Sequence, residues 1–132
     1  MQFELVQNVK IVFGAGKLSE LGELVKLENS SRPLVVTDKG IVAAGIAGKV
    51  LDVLKNAGLE PVLFDGVQPD PSTAVVAAAW ETYTAQSCDL VIGLGGGSAM
   101  DTGKAVNILR YNEGPIIRFA KGEEMKAAPG LV

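Results

Sequence analysis

Between Val91 and Lys104 the chain reads VIGLGGGSAMDTGK. An apolar run stops at Gly95, Gly96 and Gly97, Ser98 follows, and a pattern with helical spacing then begins and carries Asp101 and Lys104. That order is strand, tight glycine turn, helix start. It restricts the chain to folds in which a strand feeds directly into a helix. The helix start leaves backbone N–H groups without intrahelical partners and carries the positive end of the helix dipole. Both suit a phosphate or pyrophosphate, and glycines let a ligand approach the backbone. A glycine cluster also tightens a strand–helix corner with no ligand involved. Here the serine and an aspartate expected in the first helical turn accompany the glycines at a strand's carboxyl end, where open α/β sheets take their ligands. The stretch therefore predicts nucleotide binding.

The remaining chain fits that unit. Phe3–Val6 and Lys10–Phe13 read as a β-hairpin or two short strands. Leu18, Leu21, Leu24 and Val25 share one helical face. Pro33–Thr37 is a short apolar run of the kind buried in parallel sheets. A helix is expected over 45–57 with Gly58 as its stop, then a strand over 60–64. Ser72 or Thr73 starts a third helix through Ala79, Trp80 and Tyr83, and 88–92 is the strand that enters the glycine turn. A fourth helix reaches about Arg110, and 114–132 is weakly patterned, so the chain looks cut. Strands and helices alternating with short connections predict an α/β, Rossmann-like, doubly wound and mainly parallel sheet with helices on both faces and an N-terminal β-hairpin. All 132 residues read as one domain.

Composition narrows the chemistry. Twelve basic and 15 acidic residues give a net charge of −3, which speaks against a nucleic-acid partner. No apolar stretch is long enough for a membrane span. A single cysteine, Cys88, forbids an internal disulfide and fits a cytoplasmic protein. There is no histidine, so the usual neutral-pH base and commonest transition-metal ligand are missing.

Several residues have two readings. Asp38, after the run Leu34–Thr37, can accept hydrogen bonds from a ribose diol or make a local turn with Gly40. The first reading favours NAD over NADP, since a carboxylate repels a 2′-phosphate. Asp101 can cap its helix or bond the loop, a sugar or a substrate hydroxyl. Lys104, one turn on, can neutralise it or reach a substrate. Pro69-Asp70-Pro71 reads as a rigid surface turn that can also approach a ligand, and Gly14-Ala15-Gly16 as a structural corner. Trp80 and Tyr83 read as core or interface, and Cys88 as inert.

Four stretches, 12–24, 32–46, 57–72 and 88–106, resemble the N-terminal nucleotide-binding domain of the iron-containing alcohol dehydrogenases, in that family's order. The resemblance implies that Gly95, Gly96, Gly97 and Ser98 bind the NAD pyrophosphate and that Asp38 contacts the adenosine ribose. Asp101 and Lys104 match the Asp and Lys of the family's GGGSxxDxxK motif. Asp70 stands where the family usually carries an asparagine near the cofactor, and adds negative charge there. The family's chains are much longer. Their metal ligands, one aspartate and three histidines, lie in a helical C-terminal domain, so Fe²⁺ or Zn²⁺ would belong to the full-length enzyme only. The implied reaction is hydride transfer between a small alcohol or aldehyde and the nicotinamide, in a homodimer, with these residues alone inactive. Two rivals share features with this reading: a glycerol dehydrogenase or dehydroquinate synthase-like domain, and a non-catalytic nucleotide-binding module.

Overall fold

A computed structural model describes Gln2 and residues 9–132. The first arm of the expected hairpin, Phe3–Val6, lies outside the described residues, and no strand is assigned to Lys10–Phe13. A 3₁₀ turn at Lys17–Glu20 leads into α1 (Leu21–Leu27). There follow β1 (Pro33–Val36), α2 (Lys39–Ala43), α3 (Ile46–Asn56), β2 (Val62–Phe64), α4 (Thr73–Ala85), β3 (Leu90–Gly93), α5 (Gly97–Leu109) and α6 (Ile117–Ala120).

The three strands form a parallel sheet in the order β2-β1-β3, with Leu34 opposite Val62 on one side and opposite Val91 on the other. Alternate side chains of these strands serve two cores. Leu34, Val36 and Val91 pack with Val76, Ala79 and Tyr83 of α4 and Val106 of α5. Val35, Leu90 and Ile92 pack with Val25 of α1 and Val50 and Leu54 of α3. The molecule is thus three layers, with all four residues of the central β1 buried. This two-sided burial is why the strands read as continuous apolar runs rather than alternating ones.

Helices feed strands through one repeated stop. After α3, Gly58 (φ +85°) donates to Lys55 O and Leu59 to Leu54 O. After α1, Asn29 and Ser30 make the same pair of bonds to Lys26 and Val25, and after α4, Ser87 and Cys88 make them to Thr84 and Tyr83. These are Schellman turns, each with a left-handed residue that redirects the chain into the sheet. Cys88 is buried behind one of them; desolvation pushes its thiol up to about 11, so it stays protonated and inert at neutral pH.

Two departures from the sequence reading stand out. The segment after Asp38 is the short helix α2, not a plain turn. The tail is also not featureless. Leu131 bridges Val91 in parallel, Gly93 donates to Val132 O, and Val132 donates to Val91 O, so the last residues lie along β3's free edge. Side chains of α5 hold them there: Asn107 Nδ2 donates to Ala128 O (2.7 Å), and Arg110 donates to both Gly130 O and Asp89 O.

Candidate functional site: the crevice at the carboxyl edge of the sheet

From the central β1 the chain leaves through α2 and α3 over one face toward β2. It reaches β3, on the other side of β1, through α4 on the opposite face. The exits of β1 and β3 therefore diverge, and a crevice opens at their carboxyl ends, the place where open α/β sheets hold ligands. A cleft of about 470 Å³ lies there, walled by Asp38–Gly40 after β1, Val67–Pro69 after β2, and Gly96–Ala99 at the start of α5.

Each wall follows from local chemistry. Asp38 is extended, and its Oδ1 accepts from the Ile41 amide at 2.9 Å, so it is the N-cap of α2. The expected turn with Gly40 is replaced by this cap, since the carboxylate accepts from Ile41, and the residue still faces the cleft. A side chain built at Gly95 would come within 3.6 Å of its Oδ2.

The glycines are not equivalent. Gly95 has φ +136°, a conformation side chains rarely adopt, and an added Cβ would press on Ala99 and Ile41. Its identity is explained by the backbone alone. Gly96 has an ordinary φ of −83°. At both Gly96 and Gly97 an added Cβ would meet no protein atom within 4 Å; it would only project into open space beside the cleft they line. Gly96 caps α5 without a side chain. The amides of Gly97, Ser98 and Ala99, and the Ser98 hydroxyl, have no partner among the described residues. Thirteen residues of helix thus direct unpaired donors and a positive dipole end into a recess that Gly96 and Gly97 leave free of side chains on their side.

The structure brings Asp38, Gly96, Gly97 and Ser98 around one cleft, with Gly95 beside them in the same turn, and places Asp70 and Asp101 in a neighbouring one. Asp101 is the fifth residue of α5, not part of its first turn. The sequence reading started the helix too late, because glycines at 96 and 97 look like loop although Gly97 is already helical. Asp101 pairs with Lys104 (Nζ–Oδ1 3.4 Å), both well exposed, which is the neutralising role among the readings of Lys104. Asp101 also lines a neighbouring cleft of about 510 Å³, together with Asp70 and the hydrophobic Ile116 and Ile117. Asp70 has φ +52°, held between Pro69 and Pro71, and lies in that second cleft rather than against the glycine turn. Lys39 and Gln68 were not singled out from sequence, whereas Pro69, read as a turn able to approach a ligand, does line the cleft. The signal for Lys39 and Gln68 was position: loops at strand carboxyl ends of a parallel sheet converge. No three His, Cys, Asp or Glu side chains converge on a possible metal position among the described residues, and no described helix is long and apolar enough to cross a membrane.

The sheet, its crevice and the uncapped glycine turn define a Rossmann-like α/β domain. Residues 8–131 match the iron-containing alcohol dehydrogenase family, and the chain belongs to that family. It is 37% identical over 124 residues to a choline dehydrogenase of Bacillus subtilis, covering 94% of this chain and 30% of that protein. It is 39% identical over 118 residues to a 1,3-propanediol dehydrogenase of Citrobacter freundii, again covering 30% of the relative and 88% of this chain. Among solved structures it is similar to the NADH-dependent butanol dehydrogenase A of Thermotoga maritima (TM-score 0.88, 32% identity, covering 98% of this chain and 33% of that one). It is also similar to the sulfoacetaldehyde reductase of Bifidobacterium kashiwanohense in complex with NAD⁺ (TM-score 0.85, 28% identity, covering 96% and 33%). The chain spans about a third of the length of these relatives.

Proposed function

We propose that these residues are the dinucleotide-binding domain of an NAD-dependent alcohol dehydrogenase acting on a small alcohol or aldehyde. The amides of Gly97, Ser98 and Ala99 hold the pyrophosphate, and the Ser98 hydroxyl adds a donor. Asp38, with one oxygen committed to α2, offers the other to the adenosine ribose, and its charge disfavours a 2′-phosphate. The bound nicotinamide supplies the hydride acceptor and donor; this chain's part is to grip and orient the other half of the molecule. The metal of the family, Fe²⁺ or Zn²⁺, finds no converging donors among the described residues. These residues alone are proposed to be inactive. The relatives' substrates support a cytoplasmic enzyme of small-molecule metabolism, and the family resemblance supports a homodimer.

The observation that carries this reading is the pair Gly96 and Gly97, where the fold tolerates a side chain and a ligand would not. Gly97→Ala separates the two demands. Replacing glycine at a helical position should raise stability by about 0.5–1 kcal/mol. It should also weaken ADP-ribose roughly tenfold or more, since the methyl occupies the phosphate's approach. Thermal melts and calorimetric titration read both; a variant that binds ADP-ribose as the parent does overturns the reading.

A further inference from the structure

Thr37 is fully buried and sits at the end of β1, one residue before Asp38. Its hydroxyl donates to the carbonyl of Leu94 at 2.7 Å, the last residue before the glycine turn. Its amide donates to Phe64 O (2.8 Å), at the end of β2, and its carbonyl accepts from Val67 N (3.2 Å), in the loop that forms another wall of the cleft. Leu94 N in turn donates to Val36 O at 2.9 Å. All three walls of the crevice therefore hang from residue 37 within a few bonds. The two backbone bonds could be made by any residue but proline. The bond to Leu94 needs a hydroxyl, and the apolar alternatives that fill the rest of β1 would leave that carbonyl without a donor.

We propose that Thr37 is the positioning residue of the site: its hydroxyl fixes Leu94 and so sets where the free amides of Gly97–Ala99 point relative to Asp38. This rests on the coenzyme reading above for its ligand, though not for its geometry. Thr37 touches no ligand itself. It acts through Leu94.

The test compares Thr37→Val, which keeps the shape and loses the hydroxyl, with Thr37→Ser, which keeps the hydroxyl, in the full protein that carries this chain. ADP-ribose affinity is measured by calorimetry well below each variant's melting temperature. Amide exchange is followed at Leu94 and Val67, with Val35 and Ile92 as core references. Thr37→Val should bind ADP-ribose about tenfold more weakly and exchange Leu94 at least tenfold faster, with Val35 and Ile92 unchanged. Thr37→Ser should stay within about twofold of the parent in both. Should Thr37→Val fail to fold, Thr37→Ala against Thr37→Ser isolates the same hydroxyl. A merely structural threonine would lower the melting temperature of every variant and leave affinity in the folded protein unchanged, and that result overturns the proposal. If the parent itself binds no ADP-ribose, the coenzyme reading fails, and the exchange rates alone decide: an unaltered Leu94 rate in Thr37→Val overturns the positioning role too.

Discussion

Asp38 has two carboxylate oxygens, one used by the fold and one proposed for the ribose. Oδ1 accepts from Ile41 N and starts α2, and Oδ2 lies on the side of Gly95 and the cleft. Replacing the residue by glycine or alanine would confuse loss of the cap with loss of a ligand contact. Serine keeps the cap, because its hydroxyl accepts from the same kind of amide, and removes the charge. Asp38→Ser should therefore change stability by only a few tenths of a kcal/mol. It should weaken NAD about tenfold, with NADP affected less, because a charge-assisted bond is worth about 1.5–3 kcal/mol. Kd values for both coenzymes check it, and an unchanged NAD-to-NADP ratio removes Asp38 from the ribose. This residue also shows what a sequence yields at this scale. An acid after an apolar strand is visible, and so is its choice between ribose and turn. That it caps a helix is not, because five residues of α2 are too short to show a period. Thr37 was hidden differently: at the end of an apolar run, a threonine reads as one more β-branched strand residue.

At the scale of elements, close approach is bought with small side chains. A Cβ at Gly22 of α1 would lie 2.4 Å from the Cβ of Ala57, the residue that caps α3, so the two helices touch through a glycine. Gly22→Ala should push α1 from α3 and cost about 1–3 kcal/mol through overpacking, despite alanine's better helix propensity. Ala57→Gly in the same chain should recover most of that loss, which denaturant melts of the three variants would show; equal stability of Gly22→Ala and the parent would mean that the helices adjust freely. Elements with their own signals were legible: β1, β2 and β3 as apolar runs, α3 by a 3.6-residue face and its stop at Gly58, and α4 by its start at Ser72. The segment 128–132 was not. Its partners are backbone groups of β3 and side chains of Asn107 and Arg110, about twenty residues upstream, and nothing periodic in its own residues records them. The glycine turn was legible as a strand-to-helix corner while the first residue of its helix was not, which is why Asp101 lies beyond the first turn.

Across the whole molecule the two edges of the sheet are built for different ends. The carboxyl edge leaves donors unpaired, whereas the amino edge is cross-linked by a cluster of internal hydrogen bonds. There Asp89, just before β3, accepts from Ser30 Oγ (2.5 Å), Ser31 N (2.8 Å), Ser31 Oγ (3.1 Å) and Arg32 N (3.0 Å), fastening the turn after α1 and the start of β1 to β3. Burial pushes the Asp89 carboxyl up, but the donors of Ser30, Ser31 and Arg32 outweigh it and hold the group below the ordinary carboxylate range. A carboxyl whose folded value is depressed stabilises the fold fully above its unfolded value, about 3.9, and loses that contribution as pH falls through the folded one. Asp89→Asn swaps one acceptor oxygen for a donor that faces other donors, and should cost about 2–3 kcal/mol at pH 7. Below about pH 4 the unfolded chain takes up the proton first, and the parent loses this stabilisation as pH falls on through the lower folded value, so the gap between the two proteins should narrow as the solution becomes more acid. Denaturant titrations at pH 7, 4 and 2.5 measure it. A gap that stays constant across that range would show that the staple works by shape and not by charge, and the contrast between a cross-linked amino edge and a receptive carboxyl edge would lose its electrostatic basis.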